Sequence, residues 1–294
     1  MDDPSSTDAT RPDGGVLLVV ATPIGNLGDI SPRAARALAD ADLVLAEDTR
    51  HTARLLAHLG VTTPTQSFHD HNEARRVDAV LARLAAGETV ALVSDAGTPL
   101  VSDPGYLLVR AAREAGFRVS PLPGPSAILA ALSVAGLPSA RFVFEGFLPA
   151  RDGARGSRLA ELAREPRTMV FYEAPHRITT TLAAMCEHLG PERPACIARE
   201  LTKVHETVVT ATLGQLAALA AADADMRRGE LVVVVGGAPA VEAEVDDRTL
   251  SVLLDALPPA EAARVAARLT GAARKAIYRR ALELTGRVEG PQES

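Results

Sequence analysis

Short apolar runs alternate with helical stretches along this chain, and that alternation restricts its fold more than any other feature. GVLLVVA (15–21), DLVLAED (42–48) and TVALVSD (89–95) are apolar runs bounded by turn signals, the pattern of buried strands. Between them lie a helix opened by Ser31-Pro32 and a helix through ARLLAHLG that stops at Gly60. A further helix over 72–87 is capped by Asn72 and stopped by Gly87. AGTPLVSDPG then leads into a helix through YLLVRAAREAG, and FRVSPLPGPSA into a short strand and a helix that begins near Pro125. Such alternation predicts a mostly parallel sheet with helices on its faces.

With 294 residues the chain is too long for one small core. The pattern changes near AGLPSARF (135–142), which places a boundary between an N-terminal α/β domain, 15–136, and a C-terminal α/β domain, 137–238. Strand candidates in the second are FVFEGF, RTMVFYE, PACIARE, HETVVTA and ELVVVVGG. The two that flank Leu201-Thr202-Lys203 can pair as a hairpin, so this sheet is expected to be mixed. Residues 1–14 read as a disordered tail. The segment 239–294 reads as an acidic linker (239–247) followed by a basic helical tail, two helices broken at Thr270-Gly271.

Net charge is −6, which argues against coating nucleic acid through bulk electrostatics but leaves room for a local basic patch. The tail is such a patch. Over 258–283 the basic residues are Arg264, Arg268, Arg274, Lys275, Arg279 and Arg280 against Glu261 and Glu283, a local charge of +4. It is the best place for contact with an RNA backbone, or else a solvated amphipathic pair. Tryptophan is absent and aromatics are 3%, so no broad platform for stacking bases is expected. The acidic N-terminus is no secretory signal, no apolar run reaches the roughly 18 residues of a membrane span, and Cys186 and Cys196 lack CxxC spacing. A cytoplasmic protein is expected.

In open α/β sheets ligands bind beyond the carboxyl ends of the strands. Four loops there carry the chain's unusual residues, TPIGNLGDIS, EDTRHT, SDAGTPLVSDPG and PLPGPSA, and all but the second contain Gly and Pro, which let backbone amides approach a ligand closely. Neither GxGxxG nor GxxxxGK[ST] occurs, so neither a dinucleotide fold nor a P-loop is supported. His69-Asp70-His71 is an incomplete ligand set, and no metal is expected.

The strings VATPIGNLGDIS, AEDTRHT, HDHNE, ALVSDAGTPLVSDPG, PLPGPSA, EGFLP, FYEAPHR and ARELTK, in one register from about Val16 to Val235, resemble the bacterial small-subunit ribosomal RNA methyltransferase I family. That family belongs to the tetrapyrrole-methylase superfamily. Two departures stand out: Gly236-Gly237 where relatives often carry an acid before the glycine, and arginines in ARDGARGSR where lysines are common. The resemblance implies two α/β domains with a cofactor cleft between them, a homodimer, and S-adenosylmethionine as cofactor. The implied reaction is 2′-O-methylation of a cytidine ribose in the decoding region of 16S rRNA. Alternatives are a tetrapyrrole C-methyltransferase and a non-catalytic ribosome-assembly factor.

Carried over by motif, Pro23, Ala96, Gly97, Thr98, Val101, Ser126, Ala127, Glu173 and Leu201 contact the cofactor, with Asp95 beside them as a ligand or a cap. Asp48 matches an acid assigned proton abstraction in tetrapyrrole relatives; Asp is equally a preferred helix cap. Lys203 in ARELTK is a candidate base if its pKa is lowered, a holder of phosphate, or an ordinary surface lysine. Glu173, His176 and Arg177 position RNA or cofactor, or form an ion-pair cap.

Overall fold

The computed structural model describes residues 14–239 and 246–286, so most of the expected tail (1–14) and acidic linker (239–247) lies outside the described residues. Two compact units divide the chain, Met1–Gly237 and Ala238–Ser294.

The first unit opens with β1 (Val16–Val20), α1 (Pro32–Asp40), β2 (Leu43–Ala46), α2 (Thr49–Leu59), β3 (Thr65–Ser67), α3 (Glu73–Ala85), β4 (Thr89–Val93), α4 (Tyr106–Glu114), β5 (Arg118–Leu122) and α5 (Ala127–Val134). These strands form one sheet in the order β3-β2-β4-β1-β5, with every pairing parallel. Leu38, Leu55 and Leu56 of α1 and α2 bury one face against Val20 and Val44. On the other face, Leu84 and Leu108 of α3 and α4 meet Leu17, Leu45 and Leu92. Burial on both faces is why the central strands read as unbroken apolar runs.

Local signals set the helix ends. Ser31 accepts a hydrogen bond from the Ala34 N–H at the start of α1, and Gly60 closes α2 at φ 67°. Asn72 differs from expectation. It stands at the cap position of α3, but its side chain turns back to accept from the His69 N–H and donate to Ser67. It therefore fixes the turn before the helix and leaves the helix start uncapped.

The second sheet is built from β6 (Phe142–Phe147), β7 (Thr168–Glu173), β8 (Pro194–Arg199), β9 (Thr207–Thr212) and β10 (Leu231–Val235), in the order β6-β7-β10-β8-β9. β6 and β7 run parallel and the other neighbours antiparallel, with β8–β9 the expected hairpin. One face is covered by α6 (Asp152–Leu162), α7 (Ile178–Leu189) and α8 (Leu213–Ala222), where Leu159, Leu182 and Leu216 pack on Phe171, Ile197 and Val233. The opposite face receives α5: Ile128, Ala131 and Leu132 pack on Val170, Ala198 and Val234. A helix from the first half of the sequence thus completes the core of the second sheet.

The second unit has three described helices where two were expected: α9 (Asp247–Ala256), α10 (Pro259–Thr270) and α11 (Arg274–Leu284). Its core is small: Leu250, Ala262, Ala263, Ala266, Ile277 and Ala281. Gly271, at φ 76°, ends α10 where the sequence places the break. Among the described residues no helix is long and apolar enough to cross a membrane.

Candidate active site

A cavity of about 400 Å³ lies where the carboxyl ends of β2 and β4 face β7, β8 and the start of β10. Hydrogen bonds between loops shape its first wall. Thr22 and Gly97 exchange backbone hydrogen bonds of 2.8 and 3.1 Å, and the Thr22 hydroxyl donates to the Ser94 carbonyl at 3.2 Å. Thr98 Oγ1 donates to the Pro125 carbonyl at 3.1 Å, tying this loop to the start of α5. Gly97 holds φ 84°, a conformation that an L side chain rarely adopts, and a Cβ there would stand 3.4 Å from Ile24.

Four described non-glycine residues have left-handed backbone: Leu100, Ser102, Glu200 and Thr202. They come in two pairs, and each pair brackets an apolar residue of the cavity wall, Val101 or Leu201. Each such residue costs about 1–3 kcal/mol, borne at the loops that line the cavity.

Asp95, Ala96, Gly97, Thr98, Val101, Ser126, Ala127, Glu173 and Leu201 all line this cavity. Pro23 does not; its neighbour Ile24 does. Ser126 stands at the cap position of α5 without a side-chain capping bond. The Glu173 carboxylate is engaged by its own local structure: Oε1 accepts from the Ala174 N–H at 2.8 Å, Oε2 accepts from the Thr181 hydroxyl at 2.5 Å, and Arg177 Nε lies 3.2 Å away.

Asp48 and Lys203 stand outside the lining. Asp48 caps α2, its carboxylate accepting from the backbone N–H and the guanidinium of Arg50, and those bonds hold it well below the usual carboxylate range. Its own N–H donates to Asp95 Oδ1 at 3.0 Å. Lys203 Nζ donates to Glu200 at 2.8 Å and to Glu230, itself on the cavity wall, at 3.0 Å. Burial works against the ammonium, but these two carboxylates outweigh it and raise the lysine above its ordinary value. The Lys203 stem lies across Gly25, where a Cβ would fall 2.4 Å from Lys203 Cγ.

Four titratable wall residues were not singled out from the sequence: Glu47, Asp103, Tyr172 and Glu230. Burial, then Asp95, raises Glu47. Burial, then the charges of Glu47, Asp95 and Asp70, lifts Asp103 to about 6 against the opposing hydrogen bond from Ser94. Burial and Asp103 raise Tyr172 to about 12. Glu47 directly follows β2 inside AEDTRHT, and position at the carboxyl end of a strand could have found it; Asp103 lies well along the loop after β4, in SDPG, where that signal does not reach.

In the second unit, Arg264, Arg268, Arg274, Lys275 and Arg279 are exposed. Arg280 is paired with Asp247 at 2.5 Å and Glu283 at 2.7 Å. Arg274, Lys275 and Tyr278 border a surface pocket with Ala260.

A parallel sheet and a mixed sheet joined at such a cavity define the class. The family described as Tetrapyrrole (Corrin/Porphyrin) Methylases matches residues 16–217, and an RsmI C-terminal HTH domain matches 239–285. A solved structure of the methyltransferase CobJ is similar at TM-score 0.57 and 26% identity, covering 76% of this chain and 95% of that one. Uroporphyrin-III C-methyl transferase from Thermus thermophilus, complexed with S-adenyl homocysteine, shares the fold at TM-score 0.53 and 22% identity, over 76% of this chain and 97% of that one. Ribosomal RNA small subunit methyltransferase I of Xylella fastidiosa strain Temecula1 is 55% identical over 90% of this chain and 98% of its own. The Pseudomonas aeruginosa protein of that name is 51% identical over 93% and 99%. The chain belongs to the ribosomal RNA small subunit methyltransferase I family.

Proposed function

We propose that this protein methylates the 2′-oxygen of a cytidine ribose in the decoding region of 16S rRNA, with S-adenosylmethionine as donor. The observation that carries this reading is near-full-length likeness to relatives named for the small-subunit rRNA. The cavity fits the donor. Its volume suits a small ligand, its apolar wall includes Val101, Ala198 and Leu201, and the carboxylates of Glu47, Asp95 and Asp103 complement a sulfonium cation. The bound donor supplies an electrophilic methyl group.

In this reading Asp95, Ala96, Gly97, Thr98 and Val101 hold the donor from one side. Ser126 and Ala127 hold it at the start of α5, Glu173 and Leu201 from the second sheet, and Pro23 sets the course of the chain into Ile24. Asp48 and Lys203 serve catalysis by position. A lysine is a base only as the neutral amine, and the Lys203 ammonium is stabilised, so its role is to steady an RNA phosphate. Asp48 orients Asp95 through its N–H. Arg264, Arg268, Arg274, Lys275 and Arg279 grip RNA phosphates, while Arg280 braces its own helices. The same reading takes the enzyme as a cytoplasmic homodimer acting on the small subunit, with its α/β domains dividing at 136/137.

The test is to incubate small subunits from cells lacking the gene with purified protein and labelled donor, then map methylated riboses. Label on one cytidine ribose of 16S rRNA is expected. Label on a porphyrinoid and none on RNA overturns the reading.

A further inference from the structure

α10 and α11 are joined by three residues, 271–273, with Gly271 left-handed at the end of α10, a short helix–turn–helix connection. In such a pair the first residues of the second helix are the ones that reach nucleic acid. Here those residues border a pocket of about 400 Å³: Arg274, Lys275 and Tyr278 of α11 with Ala260 of α10. We propose that this pocket seats one unpaired nucleotide of the RNA, its base stacked on the Tyr278 ring and its phosphate held by Arg274 and Lys275. The assignment rests on the rRNA reading above and adds to it a contact with a base, which charged side chains on the phosphates do not supply.

Four observations carry it. Tyr278 follows Lys275 by three residues and Arg274 by four, so the three side chains share one face of α11. That face is turned away from the core: Ile277 and Ala281 anchor the helix, while Tyr278 is 40% exposed. Among the described residues no carboxylate pairs with Arg274 or Lys275, whereas Arg280 of the same helix is held by Asp247 and Glu283. Ala260 puts only a methyl group on the wall, which leaves space for a flat ring in a pocket of ligand size. Every base has a π-face, so a tyrosine accepts any of them, and an unstacked base in a single-stranded segment is the one whose face is open to it. Two cations beside the ring suit the phosphate of the same nucleotide.

The test uses the full-length protein. The chain has three tyrosines and no tryptophan, so labelling with 3-fluorotyrosine gives one fluorine resonance for each, and Tyr278→Phe identifies the one from the pocket. A single-stranded oligocytidylate should shift that resonance, and the same RNA annealed to its complement should not. Binding to small subunits is then followed across a salt series. Tyr278→Leu should weaken it about tenfold or more with the slope of log K against log salt unchanged, because stacking releases no counterions. Tyr278→Phe, which keeps the ring, should bind as the wild type does. Ala260→Leu, which fills the pocket from the other helix and alters no charge, should lose a similar factor to Tyr278→Leu. Full affinity in both Tyr278→Leu and Ala260→Leu overturns the pocket and leaves the function standing. So does a Tyr278 resonance that moves with the duplex and not with the single strand. A wild type that binds neither RNA nor small subunits and transfers no methyl to them overturns both. Should Tyr278→Leu fail to fold, Ala260→Leu and the wild-type fluorine spectrum still decide.

Discussion

Asp48 and Asp103 are the same residue type near one cavity, and their surroundings drive them in opposite directions. Arg50 favours the charge on Asp48; burial and three acids oppose it on Asp103. Because folding raises the Asp103 pKa from 3.8 to about 6, the stability tied to its proton is present below pH 4 and lost as pH rises through 6. Asp103→Asn, which stays neutral, should therefore stabilise the protein at pH 7.5 by about 2 kcal/mol, a rise of about 4–8 °C in Tm. Calorimetric scans should show that gain shrink towards zero at pH 4. A Tm unchanged at pH 7.5 would mean the carboxyl is better solvated than its packing indicates. Asp48 and Asp95 were legible in the sequence because each stands two residues past the end of an apolar run. Asp103 was not, since its environment depends on Phe147 and Tyr172, which pairing of the second sheet brings to it from far along the chain.

Among the elements, every strand that carries an apolar run was legible, the edge strands β5, β6 and β9 included, and only β3 was not. β1, β2 and β4 announce themselves as apolar runs, whereas β3 is only Thr65–Ser67, polar and paired along one side, so no hydrophobic pattern marks it. The contact of the β1–α1 loop with the turn after β8 was equally invisible, because it joins Gly25 to Lys203 across two sheets. It has a measurable consequence. Gly25→Ala puts a Cβ 2.4 Å from Lys203 Cγ, so the lysine stem must leave its place between Glu200 and Glu230. The variant should raise KM for subunits about tenfold, roughly 1.4 kcal/mol, with donor affinity unchanged by calorimetry. Combined with Lys203→Met it should add little, since both changes remove one interaction. Fully additive losses would show that Gly25 acts without the lysine.

For the whole molecule, charge is partitioned: the chain carries −6 overall while 258–283 carries +4. Deleting residues 258–294 should weaken subunit binding and flatten its dependence on salt, with donor affinity preserved. Arg274→Ala alone should lower the slope of log K against log salt by about 1, and Arg280→Ala should leave it nearly unchanged because that guanidinium already faces Asp247 and Glu283. Equal effects of the two substitutions would remove the distinction between gripping and bracing arginines. The order of strands also has a meaning during synthesis. β10, which divides β7 from β8 at the centre of the second sheet, is the last strand of its unit to be made. Until Leu231–Val235 leaves the ribosome, β7 and β8 each present an open edge, and the sheet face that receives α5 is missing its middle. The nascent chain must hold two unfinished layers apart, so the interval before its final strand arrives is when it most needs protection from other unfolded chains.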